Sequence, residues 1–85
     1  MNTMRIRVRM FAILRQSAGT DALDLDLPDG ATAQEASQAV AQRFPQIKNF
    51  LGKIALAVNH EYADANRPLA DGDELALLPA VSGGV

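Results

Sequence analysis

The chain of 85 residues has no cysteine, no tryptophan, one histidine and only 5% aromatic residues. Without cysteine there is no disulfide, no thiolate metal site and no thiol nucleophile. The same absence fits a reducing compartment. The lone histidine, His60, sits among polar turn residues and lacks the partners that a triad or a metal site needs. Few aromatic side chains means little on which nucleic-acid bases could stack. A net charge of −2 gives no general attraction to nucleic acid or to an anionic membrane. No apolar run approaches the roughly 20 residues that cross a bilayer. Near the start, Arg5, Arg7 and Arg9 interrupt the apolar residues, so no signal-peptide core forms, and a cytoplasmic protein is expected. No glycine-rich loop opens a helix, which removes phosphate cradling. Asp71, Asp73 and Glu74 fall short of the roughly six to eight oxygens of a calcium site, and Asp71-Gly72-Asp73 reads as ordinary turn chemistry.

What is present describes one small folded domain, 48% hydrophobic and 21% charged. Met4 to Phe11 alternates, with Ile6, Val8 and Met10 opposite the three arginines, and predicts a half-buried strand. Ala12 to Ala18 reads as a short helical turn or loop ended by Gly19. Ala22 to Leu27 alternates again, leucine against Asp24 and Asp26. The two strands are close in sequence and should pair antiparallel. Their arginine and aspartate faces then lie side by side as a solvated ion-pair ladder. Pro28-Asp29-Gly30 is a turn, and Thr32 with Glu35 is a capping box that opens a helix. Ala36, Ala39, Val40 and Phe44 give that helix its apolar face, and Pro45 ends it. Ile47, Phe50 and Leu51 should tuck inward in a short helical turn. Ile54 to Val58 reads as a central strand buried on both sides. Glu61 to Ala63 reads as a short edge strand and Glu74 to Leu78 as the last strand. Residues 1–78 thus predict an α+β fold, a mixed sheet wrapped around one main helix. Residues 79–85 predict a flexible tail.

The tail, Pro79-Ala80-Val81-Ser82-Gly83-Gly84-Val85, is where chemistry has room. Glycine has no side chain, so a Gly-Gly backbone enters a channel too narrow for other residues. Its carboxyl group, once terminal, is also unhindered. An adenylated carboxylate is an acyl donor, and attack by sulfur converts it to a thiocarboxylate.

Over nearly its whole length the chain resembles the MoaD/ThiS sulfur carriers, and within them the molybdopterin branch. The segments that carry the likeness are Met10-Phe11-Ala12-Ile13-Leu14-Arg15 with Gly19, Pro28-Asp29-Gly30, Ala57-Val58-Asn59, Leu69-Ala70-Asp71-Gly72-Asp73-Glu74-Leu75 and Leu78-Pro79-Ala80-Val81-Ser82-Gly83-Gly84. The resemblance implies the β-grasp fold of ubiquitin. It also implies that an ATP-dependent, E1-like enzyme adenylates Gly84 and that a sulfur donor protein completes the thiocarboxylate. The tail would then enter the large subunit of molybdopterin synthase, in a heterotetramer, and deliver sulfur to precursor Z. The chain itself would bind no cofactor and no metal, and it would be no enzyme on its own. Gly84 is the reactive residue in this reading, and Gly83, Ser82, Val81, Pro79, Leu77, Leu75 and Lys53 are the partner-binding set. Leu75 and Leu77 alternate with Ala76 and Leu78, so one of these pairs faces the core and the other a partner. Members of the family end at Gly-Gly, whereas this chain continues to Val85, so Gly84 gains a free carboxylate only when Val85 is lost. Two other readings stay open: a carrier for thiamine or another sulfur-bearing metabolite, and a β-grasp interaction module that transfers no sulfur.

Overall fold

Alternation in sequence becomes alternation in burial. In β1 (Thr3–Met10), Met4, Ile6, Val8 and Met10 are buried while Arg5 and Arg7 are exposed. The computed structural model describes residues 2–79. After β1 come α1 (Ala12–Ala18), β2 (Ala22–Pro28), α2 (Ala33–Arg43), a 3-10 segment (Pro45–Lys53), β3 (Ile54–Val58), β4 (Glu61–Ala63) and β5 (Glu74–Pro79). The five strands form one sheet in the order β2-β1-β5-β3-β4. β1 and β5 run parallel, and the other neighbouring pairs are antiparallel. The chain therefore returns to the middle of the sheet with its last strand. α2 lies between β2 and β3, and Ala33, Ala36, Val40 and Ala41 bury against the inner face of the sheet. This is the ubiquitin-like β-grasp arrangement expected from the sequence.

Local signals explain most element boundaries. α1 is a true helix, and it stops at Gly19, whose φ of 78° lets its N–H donate back to the Arg15 carbonyl at 2.9 Å. α2 opens on the capping box. The Glu35 N–H donates to Thr32 Oγ1 at 3.2 Å, and the Thr32 N–H donates to Glu35 Oε1 at 2.9 Å. Thr32→Ala removes half of that reciprocal pair, and we expect it to cost about 1 kcal/mol. A lower urea midpoint at unchanged slope measures the loss.

Two features differ from the sequence reading. The middle strand of the sheet is β5, with β1 and β3 on either side of it, and β3 is covered on its outer side only by the short β4. Ile54, Ala55 and Leu56 are accordingly half-buried. The run Ile-Ala-Leu-Ala-Val looks uniformly apolar because alanine is indifferent to which face it occupies. Pro79, read as the first tail residue, is instead the last residue of β5, where it stands opposite Ile54. A strand end tolerates proline because the ladder asks little of its missing N–H there.

Candidate functional site

The last strand sets the origin of the tail. β5 is held by β1 on one side and β3 on the other. Met10 stands opposite Leu77 and Ile54 opposite Pro79, so the chain leaves the sheet between the end of β1 and the start of β3. Lys53 immediately precedes Ile54 and is exposed at that exit. Val81, Ser82, Gly83 and Gly84 lie outside the described residues, as does Val85.

The opposite end of β5 is clamped. The Val58–Glu61 hairpin turns on Asn59 and His60, with φ of 53° and 73°, the paired positive values of a type I′ turn. Asn59 then bridges two segments. Its Nδ2 donates to Asp73 Oδ1 at 3.0 Å, and its Oδ1 accepts from the Glu74 N–H at 3.0 Å. That fixes β5 against β3, because a slip of one residue would turn every side chain of β5 to the wrong face.

The face of the sheet away from α2 has two halves. One is the ion-pair ladder, with Arg5 Nε at 2.9 Å from Asp26 Oδ1 and Arg7 Nε at 3.3 Å from Asp24 Oδ1. Arg9 has Ala22 rather than an acid opposite it on β2, and its ion pair is with Glu74 on β5, at 3.6 Å. Glu74 also receives His60 Nε2 at 3.2 Å. Hydrogen bonding and attraction from the Arg5 guanidinium hold the Asp26 carboxyl below the usual carboxylate range. A lowered native value means the pair adds stability above the unfolded carboxylate range and loses it as pH falls through the native value. Both side chains are well exposed, so the effect is small. In a carboxyl-carbon NMR titration Asp26 should protonate at lower pH in the native chain than in an Arg5→Ala variant.

The other half is apolar. Phe11, Ala57, His60, Tyr62, Ala76 and Leu78 line an open hollow of ≈250 Å³. Tyr62 is 80% exposed, and the Arg9 guanidinium lies 5.4 Å from the centroid of the Phe11 ring. A tyrosine and a leucine left on an open sheet face beside ordered charges are what a protein interface uses. The sequence reading assigned Leu75 and Leu77 to this patch. Both are at 0% exposure in the core, so they have no surface to offer a partner. The pair facing outward is Ala76 and Leu78. The arginine phase of β1 held the answer, because β1 and β5 are neighbours and the parallel register sets Arg9 beside Ala76. Phe11 and Tyr62 went unassigned because only the pairing of β3 with β4 brings Tyr62 beside Ala57. Among the described residues no cluster of acid or histidine side chains could hold a metal, and no helix is long and apolar enough to cross a membrane.

This arrangement is shared with known proteins. The model of the ThiS family matches residues 8–84. The molybdopterin synthase sulfur carrier subunit of Escherichia coli K12 is 36% identical over 81 residues, covering 93% of this chain and 99% of the relative. The structure of small archaeal modifier protein 1 of Haloferax volcanii superposes with a TM-score of 0.85 at 28% identity, covering 92% of this chain and 99% of that one. The complex of subunits 1 and 2 of the molybdopterin-converting factor from Helicobacter pylori contains a chain with a TM-score of 0.66 and 32% identity, covering 95% of this chain and 100% of that one.

Proposed function

The chain belongs to the ThiS family, and from that premise we propose that it is the sulfur carrier subunit of a molybdopterin synthase. The observation that carries the reading is the position of β5. The middle strand of the sheet runs, beside an exposed apolar hollow, directly into a segment bearing Gly83-Gly84. The hollow gives a partner something to hold, and the glycines follow within a few residues of the end of the strand beside it.

The chemistry needs little from this chain beyond those two features. With Val85 removed, a Gly84 carboxylate oxygen attacks the α-phosphorus of ATP in an activating enzyme, and pyrophosphate leaves. A sulfur nucleophile at the oxidation level of sulfide, delivered by a donor protein, then attacks the acyl carbon and AMP leaves. The acyl carbon keeps its oxidation state and now bears sulfur. In the large subunit that sulfur passes to the pterin precursor, and the catalytic side chains are the large subunit's. ATP is consumed by the activating enzyme and is not a cofactor of this chain. Leu78, Ala76 and Tyr62 supply the docking contact, and Lys53 and Pro79 flank the tail's origin.

Intact-mass measurement on protein isolated from its own host tests this. The expected species lacks Val85, and part of it is heavier by the difference between one sulfur and one oxygen. Full-length protein with no sulfur-bearing fraction, in cells that are making molybdopterin, would sink the proposal. A second reading is favoured by the close superposition on a small archaeal modifier protein: the activated Gly84 carboxyl passes to a lysine amine of another protein. The sequence has no lysine or arginine after Arg67, so tryptic peptides whose lysine carries the long branch ending at Gly84 would identify it.

A further inference from the structure

A second surface lies on the other side of the molecule. There α2 and the 3-10 segment lie against each other and leave a groove. Gln38, Ala41 and Gln42 stand at i, i+3 and i+4 of α2, on one helical face. Lys48 and Leu51 stand at i and i+3 of the 3-10 segment, where such positions eclipse. These five residues line an open groove of ≈420 Å³. Ala41 is buried and Leu51 half-buried, while Gln38, Gln42 and Lys48 are exposed.

The charge around this groove is one-sided. From Ala36 to His60 the sequence carries Arg43, Lys48 and Lys53 and no Asp or Glu. All ten acidic residues fall before or after that stretch, in a chain whose net charge is −2. Arg5, Arg7, Arg9 and His60 each have a carboxylate partner, whereas among the described residues Arg43, Lys48 and Lys53, like Arg15 and Arg67, have none. Folding thus sets Lys48 in a part-apolar, amide-lined groove whose residues all come from a stretch without acids, against the overall sign of the protein.

The geometry points to a second docking surface, one that takes an acidic amphipathic segment of a partner protein. Carboxylates of that segment face Lys48. An aliphatic side chain lies on the half-buried Leu51, and the exposed Gln38 and Gln42 amides meet main-chain groups. A nucleic acid fits less well, because the groove offers no aromatic ring for stacking and an apolar strip where a phosphate backbone wants a row of cations. The groove and the hollow are on opposite sides of the sheet, so a partner here does not compete with one on Leu78. The inference is independent of the sulfur-carrier reading.

The test is a titration of the isotope-labelled full chain with a synthetic peptide that repeats paired glutamates and paired leucines. The amide signals of Gln38, Ala41, Gln42, Lys48 and Leu51 should move, and those of Ala57 and Ala76 should not. Binding should weaken as salt rises. It should weaken about tenfold in a Lys48→Glu variant, whose exposed site leaves the fold intact by circular dichroism. The milder Lys48→Gln variant should fall between. Shifts confined to the hollow, equal binding by a peptide with lysine in place of glutamate, an unweakened charge-reversed variant, or equal shifts with a single-stranded oligonucleotide would each overturn the assignment.

Discussion

Leu78→Asp should leave the fold standing and destroy docking to the large subunit. Leu78 is a half-buried residue on the outer face of β5, one residue from the end of the strand. Exchanging it for aspartate gives up some strand preference, worth under about 1 kcal/mol. In a complex the same position would hold a carboxylate stripped of water and unpaired, and burying such a charge costs several kcal/mol. Loss of a central interface contact of this kind runs at about 2–4 kcal/mol, or roughly 30- to 1000-fold in Kd. Calorimetry against the large subunit, alongside a thermal melt of the free chain, separates the two effects. Undiminished affinity would remove the hollow from the docking surface.

The neighbouring substitution should do the reverse. Leu77 points inward, is fully buried, and stands between Met10 and Leu56 in the middle of the sheet. Leu77→Ala removes buried methyl groups and leaves a cavity that a packed core cannot close, at a cost of about 2–5 kcal/mol. Small domains hold only about 5 kcal/mol or somewhat more in total. The variant is therefore expected to be largely or partly unfolded at physiological temperature, with a steep fall in its urea midpoint. A loss below about 1 kcal/mol would mean that the core at Leu77 relaxes freely. Adjacent leucines on one strand thus separate stability from recognition.

How far the sequence could be read depended on whether the signal was local. The β1 and β2 alternation, the Thr32–Glu35 box, the Gly19 stop and the turns at Gly30 and Gly72 are all decided within a few residues. They appear in the structure where the pattern put them. The burial of β3 was not local, because its exposure depends on how many strands lie beyond it. The phase of β5 was not local either. Glu74-Leu75-Ala76-Leu77-Leu78 offers leucine on both faces, and its partner β1 lies more than sixty residues away. The proposal for the reactive end has a different source. A pair of glycines close to the end of the sequence is a chemical statement that needs no fold to be noticed. The hollow was not legible, since Phe11, Ala57, Tyr62 and Leu78 come from four strands or their ends and meet only in the finished sheet.

The place of β5 bears on how such a molecule survives being handled. A strand laced on both sides cannot be peeled off one rung at a time. A pull on whatever follows Pro79 loads the β1 and β3 ladders together, in shear, as a bolt is loaded between two plates. A load on that end is therefore borne by two ladders at once and does not unravel the sheet. The same lacing acts during synthesis. A chain cut short before Glu74 lacks the middle of its sheet and the leucines that fill its core. Only a chain that has reached its last strand can close its sheet.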